Sequence, residues 1–256
     1  MVKKIYSRFT CLLLLSLTQY FSFSQVSNFS LGIKAGIGIP NLKASQDNPV
    51  SRGWSSRLGP YAGAIAQLKI NQRFSLHAEL NYASQGGKKN GTQAIATSGF
   101  ADIIPPGTIV PPYVYATYNN EVKLNYIEFP VLAEFDFPIS SVVSFFFNVG
   151  PYAGYLINAK SVTSGLSNIY FDENLTQPFF TEPISFDQTL EIKSDLKKFN
   201  YGIQGGFGLH FAISERSNIA ATAGGNYGLM KLQKDKANGQ NNTGAATVTV
   251  GYMIQL

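Results

Sequence analysis

A period of two, repeated eight times along the chain and always with one uncharged apolar face, restricts this sequence more than any other feature. In Phe29–Ile39, the side chains of Phe29, Leu31, Ile33, Ala35, Ile37 and Ile39 fall on one side of an extended backbone. Ser30, Gly32, Lys34, Gly36 and Gly38 fall on the other. The same alternation governs Leu58 to Ile70, Phe74 to Tyr82, Ile127 to Phe135, Phe145 to Tyr155, Tyr201 to Ile213, Ile219 to Leu229 and the closing TVTVGYMIQL, 247–256. Every strand charge (Lys34, Lys69, Glu79, Glu128, Glu134, Asp136) lies on the opposite face. A Lys or Arg at a bilayer midplane costs a barrel roughly 2–4 kcal/mol, so a surface cleared of charge is what lipid selects.

The connections separate a barrel from a sandwich. They alternate in length: Asn41 to Ser56 long, Asn71 to Arg73 tight, Ser84 to Asn120 long, Phe137 to Ser141 tight, Asn158 to Lys197 long, Ser214 to Ser217 tight, Gln233 to Asn242 longer. All long loops then emerge at one end, whereas a sandwich normally mixes in Greek-key connections. The expectation is an all-β fold, an eight-stranded antiparallel up-and-down transmembrane β-barrel with long extracellular loops and both termini periplasmic. In such a barrel the last strand pairs with the first, which would hold the final residues.

Composition agrees with a membrane solvent, since only 14% of residues are charged against the usual quarter. Lys3, Lys4 and Arg8, an apolar run, and the small-x-small triplet Ser22, Phe23, Ser24 read as a secretory signal peptide, 1–24, leaving one barrel domain, 25–256. Removing that leader discards Cys11 and leaves 17 basic against 15 acidic residues, a net of about +2, too thin to argue for nucleic acid. A chain without cysteine has no disulfide framework. No stretch reaches the ~18 apolar residues of a membrane-spanning helix.

Eight strands enclose a lumen just wide enough for side chains to fill, so a diffusion pore is not expected. Inward glycines, among them Gly202 and Gly208, leave room for Tyr61, Phe146 and Tyr152. Inward charges there should pair, with Lys34 and Lys69 serving Glu79, Glu128 or Glu134 in a polar network that also holds His77 and His210. A sharper reading takes His77, Glu79 and His210 as a hydrolytic or metal group. Two lone histidines at mid-strand and no nucleophile motif argue against catalysis, and spacing alone assembles no three-ligand set, so neither metal nor other cofactor is expected. Pro60, Pro130 and Pro151, unable to donate to a ladder, are expected at bulges or bends.

The long loops carry aromatics: Tyr113, Tyr115 and Tyr118 in one, Tyr170, Phe171, Phe179 and Phe180 in the other. As exposed side chains they would serve partner or glycan contact. As strand extensions they would pack on one another above the barrel mouth. The nearby acids Asp172, Glu173, Glu182 and Asp187 have no calcium-loop spacing.

FSLHAELNYASQGGK (74–88), LNYIEFPVLAEFDF (124–137), NVGPYAGYL (148–156) and NYGIQGGFGLHF (200–211), in this order, resemble the outer-membrane β-barrel family of Bacteroidota called PorT-like. The resemblance implies a small integral barrel of the outer membrane, non-enzymatic, accessory to a larger envelope complex and linked to type IX secretion. It implies contact with outer-membrane lipid, with the barrel-assembly machinery during insertion and with other envelope proteins. It brings no catalytic residues. Gly251, Tyr252, Ile254 and Leu256 resemble the C-terminal assembly signal of such proteins, with aliphatic residues at the last two key positions.

Overall fold

The computed structural model describes residues 28–44, 48–100, 111–179, 182–236 and 239–256; the expected signal peptide lies outside them. The strands in chain order are β1 (Phe29–Ala44), β2 (Gly59–Lys69), β3 (Phe74–Ala96), β4 (Tyr113–Pro138) and β5 (Val143–Ser164), then the short β6 (Leu166–Ser167), β7 (Ile184–Ser185) and β8 (Gln188–Glu191), and finally β9 (Phe199–Ser214), β10 (Ser217–Gly228) and β11 (Asn241–Gln255).

Eight of them close into a ring in the order β4, β3, β2, β1, β11, β10, β9, β5, with β5 pairing back onto β4. All pairings are antiparallel. The closing seam runs from Ser30↔Gln255 to Ala44↔Asn241, so the first and last strands hold each other along their whole length. Both the start of β1 and the end of β11 lie at the end of the barrel that carries the tight turns.

The faces follow the period of two. The outward positions of β1, β2, β9 and β11 are exposed and apolar, with Ile33, Phe207 and Val250 all more than half exposed. Water would not tolerate a continuous belt of this kind, because monomeric soluble proteins seldom expose apolar patches of more than a few hundred Å². Its short-turn edge is aromatic: cross-strand pairs Phe74–Phe135, Phe135–Phe147 and Phe137–Phe145 have centroids 5.1, 5.0 and 6.3 Å apart. Its other edge lies where outward charges begin, at Lys43, Lys123 and Lys160, with Lys123 bonded to Glu121 and Lys160 to Glu191. Aromatic rings and charged side chains are what the two interfaces of a bilayer select.

Two expectations need correction. The segment 84–120 is not a loop: β3 and β4 stay paired from Ala83↔Tyr126 out to Ala96↔Tyr113, and the connection shrinks to 97–112. The outward face turns polar beyond the belt, so the alternation that marks a lipid-facing strand stops there while the backbone ladder continues. The prolines do not create bulges either. Near Pro130 and Pro151 the β4–β5 ladder skips from Pro130↔Tyr152 to Ala133↔Val149 at constant register, because each proline lacks a donor but adds no residue. The register shifts fall instead at Asn125/Tyr126 and Ser217/Asn218. Glycine is required at Gly150, where a Cβ would collide with the carbonyl oxygen of Val131 on β4.

Candidate functional site

The lumen is occupied by three tiers of polar side chains, each centred on a buried glutamate. In the middle tier Lys34 Nζ on β1 donates to Glu79 Oε2 on β3 at 2.6 Å, and Asn81 Nδ2 donates to the same oxygen at 2.9 Å. Asn81 also donates to the Tyr61 hydroxyl at 2.8 Å. Toward the long-loop end, Glu128 accepts the amides of Gln85 at 3.0 Å and Asn226 at 3.1 Å. Toward the short turns, Glu134 Oε1 faces His77 Nε2 at 3.1 Å and His210 Nε2 at 3.2 Å, while Asn148 donates to its other oxygen at 3.1 Å. Paired this way, three carboxylates can stay in a low-dielectric interior.

Tyr61, Tyr126, Leu132, Phe146, Tyr152 and Met253 are all buried and fill the remaining space. Gly202 and Gly208 make this possible, since a Cβ at either would press on the rings of Tyr152 and Phe146. A cavity of about 40 Å³ remains between Lys34, Glu79, Phe146 and Gln204, enough for a few waters and not for a solute.

Above the belt, β3, β4 and β5 stand up as a crown. Its lower core gathers Leu42, Val122, Leu124, Leu156, Leu196 and Leu232, with Trp54 and Ile192 against them. A cavity of about 280 Å³ lies here, bounded by Trp54, Ile192 and Leu232 and by polar Asn120, Ser161, Asp195 and Gln233. Arg57 anchors the crown to the barrel rim by donating to Glu121 Oε1 at 2.8 Å and to the Ser84 hydroxyl at 3.1 Å. Lys89, also in the crown, is buried, and burial pushes its pKa down to about 8.

The upper crown core is Val114, Ala116 and Ile169, covered by Ile95, Tyr118, Phe179 and Phe186. Several of the loop aromatics pack on one another here. Tyr118 stacks on Phe186 at 4.5 Å, Phe171 meets Phe179 edge-on at 4.8 Å, and Tyr115 and Tyr170 exchange backbone hydrogen bonds of 2.8 Å. Tyr113 is half-buried at the start of β4, and Phe180 lies outside the described residues. The apolar side chains that β6, β7 and β8 leave exposed are Leu166, Ile184 and Leu190, which sequence reasoning did not single out.

Of the lumen residues expected to pair, Lys34 and Glu79 meet, as do His77, Glu134 and His210. Lys69 does not join them; it is exposed at the short-turn rim. Glu128 takes amides where a lysine was expected. Gln85 and Asn226, its two partners, were missed, although extending the inward parity of β3 beyond Asn81 leads to Gln85. Gly251 faces inward against Lys34, while Tyr252, Ile254 and Leu256 face outward.

A closed antiparallel ring of eight strands, filled inside and apolar outside, defines an integral outer-membrane β-barrel protein. The chain belongs to the outer membrane protein beta-barrel domain family, whose pattern it matches over residues 22–234. No curated protein matches it. Among solved structures it is similar to Neisserial surface protein A (NspA), at 14% identity and a TM-score of 0.43 over 91% of this chain and 100% of that one. It is also similar to Ail, the attachment invasion locus protein of Yersinia pestis, at 14% identity and a TM-score of 0.34 over 90% and 100% of the two chains. A third is the outer membrane protease OmpT from Escherichia coli, at 10% identity and a TM-score of 0.35 over 92% and 99%.

Proposed function

We propose that this barrel is a non-enzymatic interaction component of the outer membrane, fixed by its belt and presenting its crown to another envelope protein. The observation that carries this reading is the combination of a lumen filled by side chains with a rigid paired sheet beyond the belt. From Gly86 to Ala96, β3 adds roughly 30 Å of strand that transport through the barrel does not require. Leu166, Ile184 and Leu190 on β6 to β8 supply apolar contact area at the crown surface. On this reading the short turns and both termini face the periplasm and the crown faces outward. The PorT-like resemblance supports an accessory role in a type IX secretion or related complex.

The test is purification of a tagged copy from its outer membrane in mild detergent, beside a variant whose residues 91–118 are replaced by an Asn-Gly turn. Asn90 and Asn119 are opposite each other in the ladder, so a two-residue turn can join them. A stoichiometric partner is expected with the native chain and not with the trimmed one, while both keep the heat-modifiable gel mobility of a folded barrel. A native chain that purifies alone would refute the reading.

A second reading rests on the crown cavity: a surface barrel that binds a small apolar ligand between Trp54, Ile192 and Leu232. Its volume falls just short of the ~300–1,000 Å³ of common ligand pockets. Trp54 fluorescence reports on it, since Trp54 is the sole tryptophan of the chain.

Leu256 offers a test of the C-terminal assembly signal. Near an interface an acidic substitution on the lipid face costs at most about 1 kcal/mol, so Leu256→Asp should leave the stability of the folded barrel almost unchanged. A drop of several-fold in its membrane level is expected if the assembly machinery reads this residue. Native levels would remove the signal.

A further inference from the structure

We infer that Glu134, Asp136 and His210, with His77 beside Glu134, form a binding site for one divalent transition-metal ion at the short-turn mouth of the barrel. Three strands contribute: His77 from β3, Glu134 and Asp136 from β4, and His210 from β9. Glu134 Oε1 lies 3.1 Å from His77 Nε2 and 3.2 Å from His210 Nε2, and Asp136 Oδ1 lies 3.6 Å from His210 Nε2. Ligand atoms of Glu134, Asp136 and His210 all fall within 4.8 Å of one another. Protein ligands about 2.0–2.1 Å from a tetrahedral Zn²⁺ stand roughly 3.3–3.4 Å apart. The Glu134–His210 and Asp136–His210 distances fall on either side of that edge, and water would complete the shell around three protein ligands.

The donor set chooses the class of ion. An imidazole with two carboxylates suits zinc or cobalt, whereas calcium and magnesium take oxygen donors. The surroundings resemble the outer shell that orients ligands in metal sites: Asn148 Nδ2 donates to Glu134 Oε2 at 3.1 Å, which leaves Oε1 to face the two rings. Behind the ring, Asn218 is the side chain that faces His210, and His210 Nδ1 and Asn218 Oδ1 are both buried. Both residues line a vestibule of about 340 Å³ with Lys69, Gln72, Asp136 and Arg216, through which an ion could enter from the short-turn end. Phe146, stacked on His210 at 4.2 Å, closes the inner side. An ion held here ties β4 to β9, so it stabilises the folded barrel by mass action.

These are the only two histidines of the chain, so any histidine-dependent metal binding reports this site. The experiment uses the full barrel in detergent with a tag free of histidine, stripped with chelator and then titrated with Co²⁺ and with Zn²⁺. Expected are one equivalent of Co²⁺ with the visible absorption of a tetrahedral complex, its displacement by Zn²⁺, and no competition from a hundredfold excess of Mg²⁺. His210→Gln should weaken binding at least tenfold and His77→Gln, which acts through Glu134, less, both leaving a folded barrel. A wild-type barrel that takes up no stoichiometric Co²⁺ or Zn²⁺ would overturn the site, reducing it to a His–Glu–His hydrogen-bonded cluster. Uptake unchanged in the double variant would overturn it equally. The outcome is independent of whether the crown recruits a partner.

Discussion

Replacing Ile33 by arginine is expected to cost the folded barrel about 2–4 kcal/mol, or to keep it from inserting at all. Ile33 sits at the centre of the outward face of β1, opposite Tyr252 and Ala64 on its two neighbours, and is two-thirds exposed. An arginine there has hydrocarbon on every side and lies too far from either interface for its head to reach water cheaply. The control is Leu190→Arg, an apolar position on β8 beyond the belt, about half exposed, where water meets the side chain and the change should be nearly neutral. Denaturant unfolding in lipid vesicles measures both. Equal effects at the two positions would mean that the outward face does not meet lipid.

Lys34→Met should be as damaging from the inside. It removes the 2.6 Å partner of Glu79 and leaves a carboxylate with only the amides of Asn81 and Gln204, at 2.9 and 3.4 Å, in the packed middle of the lumen. Breaking one member of a buried pair typically costs about 3–5 kcal/mol, because the remaining charge cannot be solvated. Adding Glu79→Gln to Lys34→Met removes that stranded charge, and the double variant should recover most of the loss. This recovery separates a charge effect from a packing effect. A single variant as stable as the parent would show that the middle tier does not hold the barrel together.

The two substitutions concern neighbouring residues that face opposite solvents, and this adjacency explains how much could be read in advance. Side-chain direction in a strand alternates by local geometry, so Ile33 outward and Lys34 inward follow from position alone. The same parity placed His77, Glu79, Glu128 and Glu134 in the lumen. It also explains why the crown was read as loops: once β3 and β4 leave the lipid, Lys88 and Lys123 are free to appear, and the uncharged face that marked a strand disappears although the ladder does not. The loop aromatics gave a composition signal that fits an exposed contact and a small core equally well. The stacking of Tyr118 on Phe186 and the edge-on contact of Phe171 with Phe179 come only from the tertiary structure.

The sequence by itself determined the eight wall strands, their inward and outward faces and the tight turns between them, because each depends on a few consecutive residues. Which lumen groups meet was decided by the tertiary structure. Each wall strand offers several inward side chains, and their partners depend on the stagger between strands and on closure of the ring. Ser75↔Glu134 sets His77 beside Glu134, and only the curvature of the wall carries His210 across β5 to the same carboxylate oxygen. Those contacts join residues 57 and 76 positions apart, and no local period records them.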